Sequence, residues 1–340
     1  RARSSSPYYS ALAARLKLPE RFKSLEEFAQ VMPVTRREAV RCAPQQFVLP
    51  GIRRGKWMST GGSTGSPVRI FWGLRGHLES LRDQYWARLW WGVRPFDRQA
   101  MLWGHSHSLG HGAAAAWRRM AVPLVDLFRR RIRCNAYRMD EASLRAYYDR
   151  IARFRAVSLY AYASAAHLLA VANRGRPPIA SLKAAFLAAE PVLDQFRRSV
   201  HEVLGCASAG EYGSIDCGMV AYEHPGGGYR VFERSVIVET VKREGCHEII
   251  VTQLRDTGFP LFRYEIGDIA VSPLRQDAQG FDSLEGIAGR LDELAECAGA
   301  QRDVQEFLES GHALGGGGQV GRAPHLIGES KDVRERLQGP

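Results

Sequence analysis

The pattern of apolar residues changes along the chain, and this change constrains the fold more than any other feature. Up to about residue 204, segments with helical spacing alternate with short apolar runs, whereas residues 229–254 alternate as strands do. Helices that alternate with strands predict a sheet covered by helices, and a strand-rich stretch predicts a further sheet. The sequence therefore predicts an α/β fold with helix-flanked β-sheets plus a β-rich subdomain.

The same periodicity predicts individual elements. Helices are expected over residues 25–43, 77–91, 142–151, 161–172 and 194–204, and strands over 46–52, 68–71, 186–189, 229–232, 236–241 and 248–252. In the first helix, Thr35-x-x-Glu38 is typical of a capping box. Gly205 is expected to end the helix at residues 194–204. Four residues with the spacing of one helix face predict the apolar side of helix 77–91: Leu78, Leu81, Tyr85 and Leu89.

The charge of the chain comes from arginine. Lys and Arg number 47 against 36 Asp and Glu, for a net charge of +11, and only six of the cations are lysines. The arginines are spread along the chain and form no basic stripe alternating with aromatic residues, so no nucleic-acid partner is expected. The longest uncharged run, residues 156–173, is too polar to span a bilayer and predicts a buried helix.

Cysteine usage and the first residues bear on location. Six cysteines without a C-x-x-C pair are too few for a disulfide scaffold. Reduced thiols are typical of cytoplasmic proteins, and residues 1–10 lack the apolar core of a signal peptide. We therefore expect a cytoplasmic protein without a membrane span.

A Gly/Ser/Thr cluster between two predicted strands has the composition of a phosphate-binding loop. Its members are Ser59, Thr60, Gly61, Gly62, Ser63, Thr64 and Gly65. Glycines allow a positive φ and turn N–H groups inward, and the hydroxyls add donors. The cluster is neither a Walker A loop nor a G-x-G-x-x-G motif. A flexible polar loop remains the plain alternative.

The cluster also contains Gly61-x-Ser63-x-Gly65, the pattern of a hydrolase nucleophile elbow. An elbow needs a helix directly after the serine. Here Pro67 and a predicted strand follow, so a strand–loop–strand is favoured, and a serine hydrolase using Ser63 is kept as an alternative.

Three further segments carry residues suited to a nucleotide. Asp268 follows Gly267 at a predicted strand end, where a carboxylate can accept hydrogen bonds from sugar hydroxyls. Tyr212 lies beside a glycine and can stack on a flat base, and Asp216 can hold Mg²⁺ on phosphate oxygens. The third segment is Ala188-Ala189-Glu190-Pro191. Each segment alone is a weak signal.

In their order, these segments resemble the adenylate-forming (acyl-CoA synthetase-like) superfamily, and more closely its phenylacetate–CoA ligase and CapK branch. The resemblance runs from about residue 25 to residue 293. It rests on loop 59–67, Ala188-Ala189-Glu190-Pro191, Glu211-Tyr212-Gly213-Ser214-x-Asp216, Pro260-Leu261-Phe262-Arg263-Tyr264-x-x-Gly267-Asp268 and Gly289-Arg290-x-Asp292. It implies the fold of the large N-terminal domain of an adenylate-forming enzyme.

The resemblance also implies a reaction. ATP with Mg²⁺ would activate a small carboxylic acid as an acyl-adenylate, which then passes to CoA or an amine; a homodimer is a further expectation. The implied nucleotide site comprises loop 59–65, then Ala189, Glu190, Pro191, Glu211, Tyr212, Gly213 and Ser214 near adenine, Asp216 near Mg²⁺, and Asp268 and Arg290 near ribose. Candidate linings of the acyl pocket are Trp103, His105, His107 and Tyr160.

The chain departs from the family pattern in ways that bear on catalysis. Val68 stands where a lysine usually closes the phosphate loop, and Ile215 and Asp216 replace a hydroxyl residue and a Glu. Only 48 residues follow Asp292, too few for the family's lid domain, and no catalytic lysine is identified. We expect an AMP-binding domain over residues 1–288 and a hinge with a truncated or degenerate remnant over 289–340. A non-catalytic nucleotide-binding protein is therefore a second hypothesis.

Metal sites are minor alternatives. His105, His107 and His111 could bind a metal but lack a carboxylate that would orient them. Four residues fall where some relatives hold a structural zinc, without the matching spacing: Cys217, His224, Cys246 and His247. Ordinary buried cysteines are favoured there.

Overall fold

A long mixed sheet and a smaller antiparallel sheet form the framework of this computed structural model, which describes residues 6–52, 54–60, 67–104, 122–243 and 245–290. The helices are α1 (Pro7–Leu16), α2 (Leu25–Val31), α3 (Arg37–Cys42), α4 (Leu74–Trp90), α5 (Glu141–Phe154), α6 (Ala163–Val171) and α7 (Asp194–Ser199), which continues as a π-helix over Val200–Leu204; residues 122–128 are also helical. The strands are β1 (Gly55–Ser59), β2 (Arg69–Gly73), β3 (Gln99–Trp103), β4 (Arg131–Asn135), β5 (Ser158–Tyr162), β6 (Ala184–Ala188), β7 (Ala207–Ser214), β8 (Gly218–Glu223), β9 (Tyr229–Val231), β10 (Val236–Arg243), β11 (Cys246–Gln253), β12 (Tyr264–Ala270), β13 (Arg275–Gln276), β14 (Asp282–Leu284) and β15 (Ile287–Arg290).

The long sheet is half parallel and half antiparallel. Its strand order is β13-β14-β9-β8-β7-β6-β5-β3-β4, with parallel pairing from β4 to β7 and antiparallel pairing beyond β7. Helices α5, α6 and α7 pack on one face and α4 on the other. All five residues of β6 are consequently buried, as expected for a parallel strand covered on both sides.

The second sheet has the order β10-β11-β12-β15, and β1 and β2 form an antiparallel hairpin. The N-terminal helices pack against these strands through a core that includes Tyr9, Phe47, Phe259 and Tyr264. The ring of Tyr9 lies edge-on to Phe47, and Phe47 stacks on Phe259 with centroids 5.6 Å apart. The predicted class, an α/β fold with a β-rich part, is confirmed.

Several predicted elements differ from the observed ones. Residues 25–43 form two helices, α2 and α3, and residues 44–47 form a 3₁₀ turn where a strand was predicted. The capping box is absent because the Thr35 hydroxyl donates to Phe262 O at 2.7 Å, and Glu38 pairs with Arg41. Residues 156–173 contain strand β5 before helix α6, so the single buried helix predicted there is wrong.

Helix α4 buries a different face from the predicted one. Leu78 and Leu89 are 55% and 43% exposed, whereas Asp83, Ala87 and Arg88 are buried. Spacing alone cannot reveal this orientation, because it is set by polar contacts with distant strands. Among the described residues, no helix has the length and apolar character needed to cross a bilayer.

A buried ion pair sets the orientation of α4. Asp83 Oδ2 accepts hydrogen bonds from Arg255 Nη2 at 2.8 Å and from the Ser235 hydroxyl at 2.5 Å. Asp83 and Arg255 are each 5% exposed. Arg255 Nη1 also donates to Cys217 O at 3.0 Å. The pair therefore ties α4 to the turn that follows β7 and to the segment that follows β11.

We expect D83A to lower the free energy of unfolding by about 3–5 kcal/mol, because the substitution leaves the Arg255 guanidinium buried without its counter-ion. Urea unfolding followed by circular dichroism measures the loss. The control is E141A, which removes an exposed pair with Arg145 and should cost less than about 0.5 kcal/mol. Equal losses in the two variants would contradict this role of Asp83.

Candidate functional site

The turn between β7 and β8 is held in place by side chains from three directions. Trp72 Nε1 donates to Ile215 O at 2.7 Å, Gln253 Nε2 donates to Asp216 O at 2.8 Å, and Arg255 donates to Cys217 O. Within the turn, Ser214 Oγ accepts from Cys217 N at 3.0 Å. These bonds fix the backbone of Asp216 at the end of β7.

The carboxyl group of Asp216 is buried but only half satisfied. Its residue is 1% exposed, and its Oδ2 accepts from the Tyr264 hydroxyl at 2.6 Å. Among the described residues, Oδ1 has no hydrogen-bond partner. Burial raises the pKa of Asp216, and Tyr264 and Arg37 oppose that shift. The unpartnered oxygen fits the donor that Mg²⁺ takes from a protein when phosphates and water supply its other ligands.

Asp268 lies on β12, close to the turn, and carries its own partners. The Tyr212 hydroxyl donates to its Oδ2 at 3.0 Å, and Arg290, its register partner on β15, approaches its Oδ1 to 3.4 Å. Burial raises the pKa of Asp268 to about 6, against the opposing effect of Arg290. Gly267 has a φ of +85°, and a Cβ there would lie 3.0 Å from Arg290 Nη2, so glycine keeps the approach to the ion pair open.

Thr60 connects the Gly/Ser/Thr cluster to the same region. Its hydroxyl accepts from Val68 N at 2.9 Å and receives a longer hydrogen bond, 3.4 Å, from Arg37 Nη2. Arg37 Nη1 lies 4.0 Å from Asp216 Oδ2 and donates to Ile266 O at 3.2 Å. Thr60, Asp216, Asp268, Tyr212 and Arg290 thus lie around one region, joined by direct contacts or through Arg37.

The structure describes the predicted phosphate loop at Ser59 and Thr60. Gly61, Gly62, Ser63, Thr64 and Gly65 lie outside the described residues, and Ser59 is an exposed residue at the end of β1. The flanking strands β1 and β2 pair as an antiparallel hairpin. A strand after the loop agrees with the predicted strand–loop–strand and differs from the helix that a nucleophile elbow requires.

Glu211 points away from Tyr212, although the two are neighbours in the predicted motif. Successive side chains of a strand face opposite sides. Glu211 accepts from the Tyr160 hydroxyl at 2.9 Å and from Gln84 Nε2 at 2.8 Å, and Arg88 lies 3.8 Å away. Burial raises the pKa of Glu211. This residue belongs to a buried network between α4 and the long sheet.

Glu190 caps a helix in this structure. Its two carboxylate oxygens accept from the backbone N and the hydroxyl of Ser164, at 2.7 and 3.0 Å, at the start of α6. Ala189 before it has a φ of +68°. Since β5 and β6 are parallel, residues 188–191 lie at the carboxyl ends of the parallel strands, the edge where open α/β sheets bind ligands.

Three aromatic residues form a stack at the same edge. The ring of Trp103 lies 5.0 Å from that of Tyr160 and 4.0 Å from that of Tyr162, both nearly parallel to it. Two predicted acyl-pocket residues, Trp103 and Tyr160, are thus in contact. The histidines at positions 105, 107 and 111 lie outside the described residues.

Two other features of the described residues do not form the site. No group of three His, Cys, Asp or Glu side chains there could hold a metal ion, so the zinc alternative gains no support.

An open groove of about 830 Å³ is lined by Arg153, Arg155 and Arg176, among others. It lies before the starts of β5 and β6, at the opposite end of the strands from the carboxylates.

Sequence reasoning missed Arg37 and the role of Tyr264. Tyr264 stands inside a motif that was singled out, but nothing in its spacing indicates that its hydroxyl binds Asp216. Arg37 follows another arginine on a short surface helix, and no local pattern relates it to residues 60 or 216. Both roles arise from packing between elements that are distant in the chain.

Comparisons with known proteins agree with the fold. No protein-family model and no curated protein sequence matches the chain. An open conformation of 2-hydroxyisobutyryl-CoA ligase in complex with 2-HIB-AMP and CoA is similar over 86% of this chain and 67% of its own, with a TM-score of 0.67 and 17% identity. The same ligase in its thioesterification state matches over 85% and 65%, with a TM-score of 0.66 and 18% identity. The chain thus spans about two thirds of the length of these ligases and shares their fold over that part.

Proposed function

We propose that this protein binds ATP and activates a small carboxylic acid as an acyl-adenylate, which is then transferred to CoA or an amine. The observation that carries the proposal is that two buried carboxylates, Asp216 and Asp268, approach each other from two different sheets, and that Arg37 links Asp216 to Thr60 of the Gly/Ser/Thr cluster. ATP needs hydrogen-bond donors for its phosphate oxygens, an oxygen ligand for its bound cation and a hydrogen-bond acceptor for its ribose. The similarity in fold to 2-hydroxyisobutyryl-CoA ligase supports the proposal.

Each residue has a defined part in the proposed nucleotide site. Asp268 accepts hydrogen bonds from the ribose hydroxyls, and Tyr212 and Arg290 hold its carboxylate in position. Burial raises the pKa of Tyr212, so its hydroxyl stays protonated and donates. The Tyr212 ring is 6% exposed, so contact with adenine would involve only a small part of it.

The proposed reaction has two steps. A carboxylate oxygen of the acid attacks the α-phosphorus of ATP, the bond to the β-phosphate oxygen breaks, and pyrophosphate leaves. A thiol or amine then attacks the acyl carbon, and AMP leaves. Mg²⁺ held by Asp216 would neutralise charge on the phosphate oxygens. The protein mainly positions the reactants and stabilises charge, so nucleotide binding does not itself require a lid lysine.

The finer assignment is also part of the proposal. The motifs at residues 188–191 and 260–268 resemble the phenylacetate–CoA ligase and CapK branch, and the aromatic stack of Trp103, Tyr160 and Tyr162 offers a flat apolar surface beside the strand ends. A cytoplasmic location and a homodimer belong to the same proposal. The second candidate is a protein that binds nucleotide without turnover. It is favoured because Val68 stands where the family has a lysine.

We expect millimolar ATP with Mg²⁺ to raise the melting temperature of the protein, since a ligand that binds only the folded state stabilises it. D268A should abolish the rise because it removes the ribose acceptor. D149A, at a half-exposed residue on α5, should leave the rise intact. Differential scanning fluorimetry measures these shifts. A wild-type protein that ATP leaves unchanged would contradict the proposed site.

Binding of adenosine should weaken as the pH falls through about 6, the pKa that burial gives Asp268. The ionised carboxylate accepts two ribose hydrogen bonds, whereas the protonated form has lost acceptor capacity. A single group with this pKa predicts roughly tenfold weaker binding at pH 5 than at pH 7. Adenosine carries no phosphate that titrates in this range. D268N should bind weakly at both pH values; an equal pH dependence in D268N would exclude Asp268 as the cause.

Exchange of labelled pyrophosphate into ATP, measured with a panel of aryl and alkyl acids, separates the two candidates. Acid-dependent exchange identifies an adenylate-forming ligase and its acid. Nucleotide binding without exchange for any acid identifies the non-catalytic protein.

A further inference from the structure

Arg37 lies between the two parts of the proposed site. It is the first residue of α3, and its guanidinium reaches Thr60 Oγ1 at 3.4 Å on one side and comes within 4.0 Å of Asp216 Oδ2 on the other. We propose that Arg37 is a phosphate-binding residue that makes this site selective for a nucleoside triphosphate over a nucleoside. The inference rests on the proposed function, since it concerns the ligand of the same site.

The hydrogen bonds of Arg37 leave its guanidinium largely unused. A guanidinium has five N–H donors. Among the described residues, Arg37 makes two hydrogen bonds, to Ile266 O at 3.2 Å and to Thr60 at a length near the limit for such a bond. The distance to Asp216 is too long for a hydrogen bond, and the side chain is 26% exposed. Arg37 is thus held in place by weak contacts and retains donors for an anion.

A structural arginine of the same chain shows the contrast. Arg263 donates to Glu239 at 3.0 Å and to the backbone oxygens of Ala29 and Met32, and its side chain is 11% exposed. Its donors are directed at protein acceptors on three sides. Arg37 has no comparable set of acceptors among the described residues.

The local charge balance also favours a cation at this position. Asp216 lies where phosphates would approach, with the carboxyl group of Asp268 in the same region, and like charges repel. Arg290 is engaged with Asp268. Val68, at the end of the Gly/Ser/Thr cluster, is a fully buried apolar residue. Arg37 is therefore the described cation that lies beside both Thr60 and Asp216, and guanidinium groups bind phosphate oxygens through paired, charge-assisted hydrogen bonds.

The test compares ligands that differ only in phosphate. Dissociation constants of ATP and adenosine are measured by isothermal titration calorimetry for the wild type, R37M, R37K and the control R36M. Arg36 is the adjacent arginine, 61% exposed and paired with Glu265. We expect R37M to weaken ATP binding about 10- to 100-fold, as for the loss of a charged hydrogen bond, with adenosine binding changed less than about twofold. We expect R37K to bind ATP with an affinity between those of the wild type and R37M, because a lysine keeps the charge without the paired donors. R36M should bind ATP as the wild type does.

Each outcome separates this inference from the proposed function. If the wild type binds neither ligand, both fail. If the wild type binds ATP and R37M binds it equally well, or if R37M loses ATP and adenosine to the same extent, Arg37 is not a phosphate-binding residue and the proposed function stands. Should R37M not fold, R37K decides by the same criterion, a loss of ATP affinity with adenosine affinity retained.

Discussion

The buried ion pair between Asp83 and Arg255 is the interaction on which the rest of the site depends. It joins α4 to the segment that follows β11, and through Cys217 O it fixes the turn after β7. An arginine with so little exposure is stable only when its charge and donors are satisfied. Because the pair is satisfied, α4 turns its polar side inward and the turn that carries Asp216 has one defined position.

From this fixed turn the arrangement of charge follows. Asp216 and Asp268 come from elements far apart in sequence, and burial disfavours the ionised form of both. Tyrosine hydroxyls from β7 and β12 and arginines from α3 and β15 supply the compensation. This polar cluster is separate from the buried network around Glu211, which links α4 to the long sheet.

The sequence predicted the fold class and several strands, because apolar periodicity reports on local structure. It also predicted the helix at residues 77–91, although the apolar spacing that indicated this helix does not mark its buried face. The family resemblance also implied one nucleotide site for Asp216, Asp268, Tyr212 and Arg290; the structure shows contacts of Asp268 with Tyr212 and Arg290, and the nucleotide site stays a prediction. The sequence did not predict the inward face of α4, the burial of Thr35 or the position of Arg37. Those depend on partners 23 to 229 residues away, and no window of local sequence contains such information. Glu211 is the opposite case. The sequence grouped it with Tyr212 because the two are neighbours in one motif, but their side chains face opposite sides of β7.

The hydrogen bond between Tyr212 and Asp268 joins β7 of the long sheet to β12 of the small one. A molecule that engages Asp268 therefore acts on the junction between the sheets as well as on a single side chain. Ligand binding at Asp268 and the stability of the contact between the two sheets are therefore thermodynamically linked. Amide protons of β12 and β15 should consequently exchange more slowly with solvent when the carboxylate is engaged, even though most of them touch no ligand.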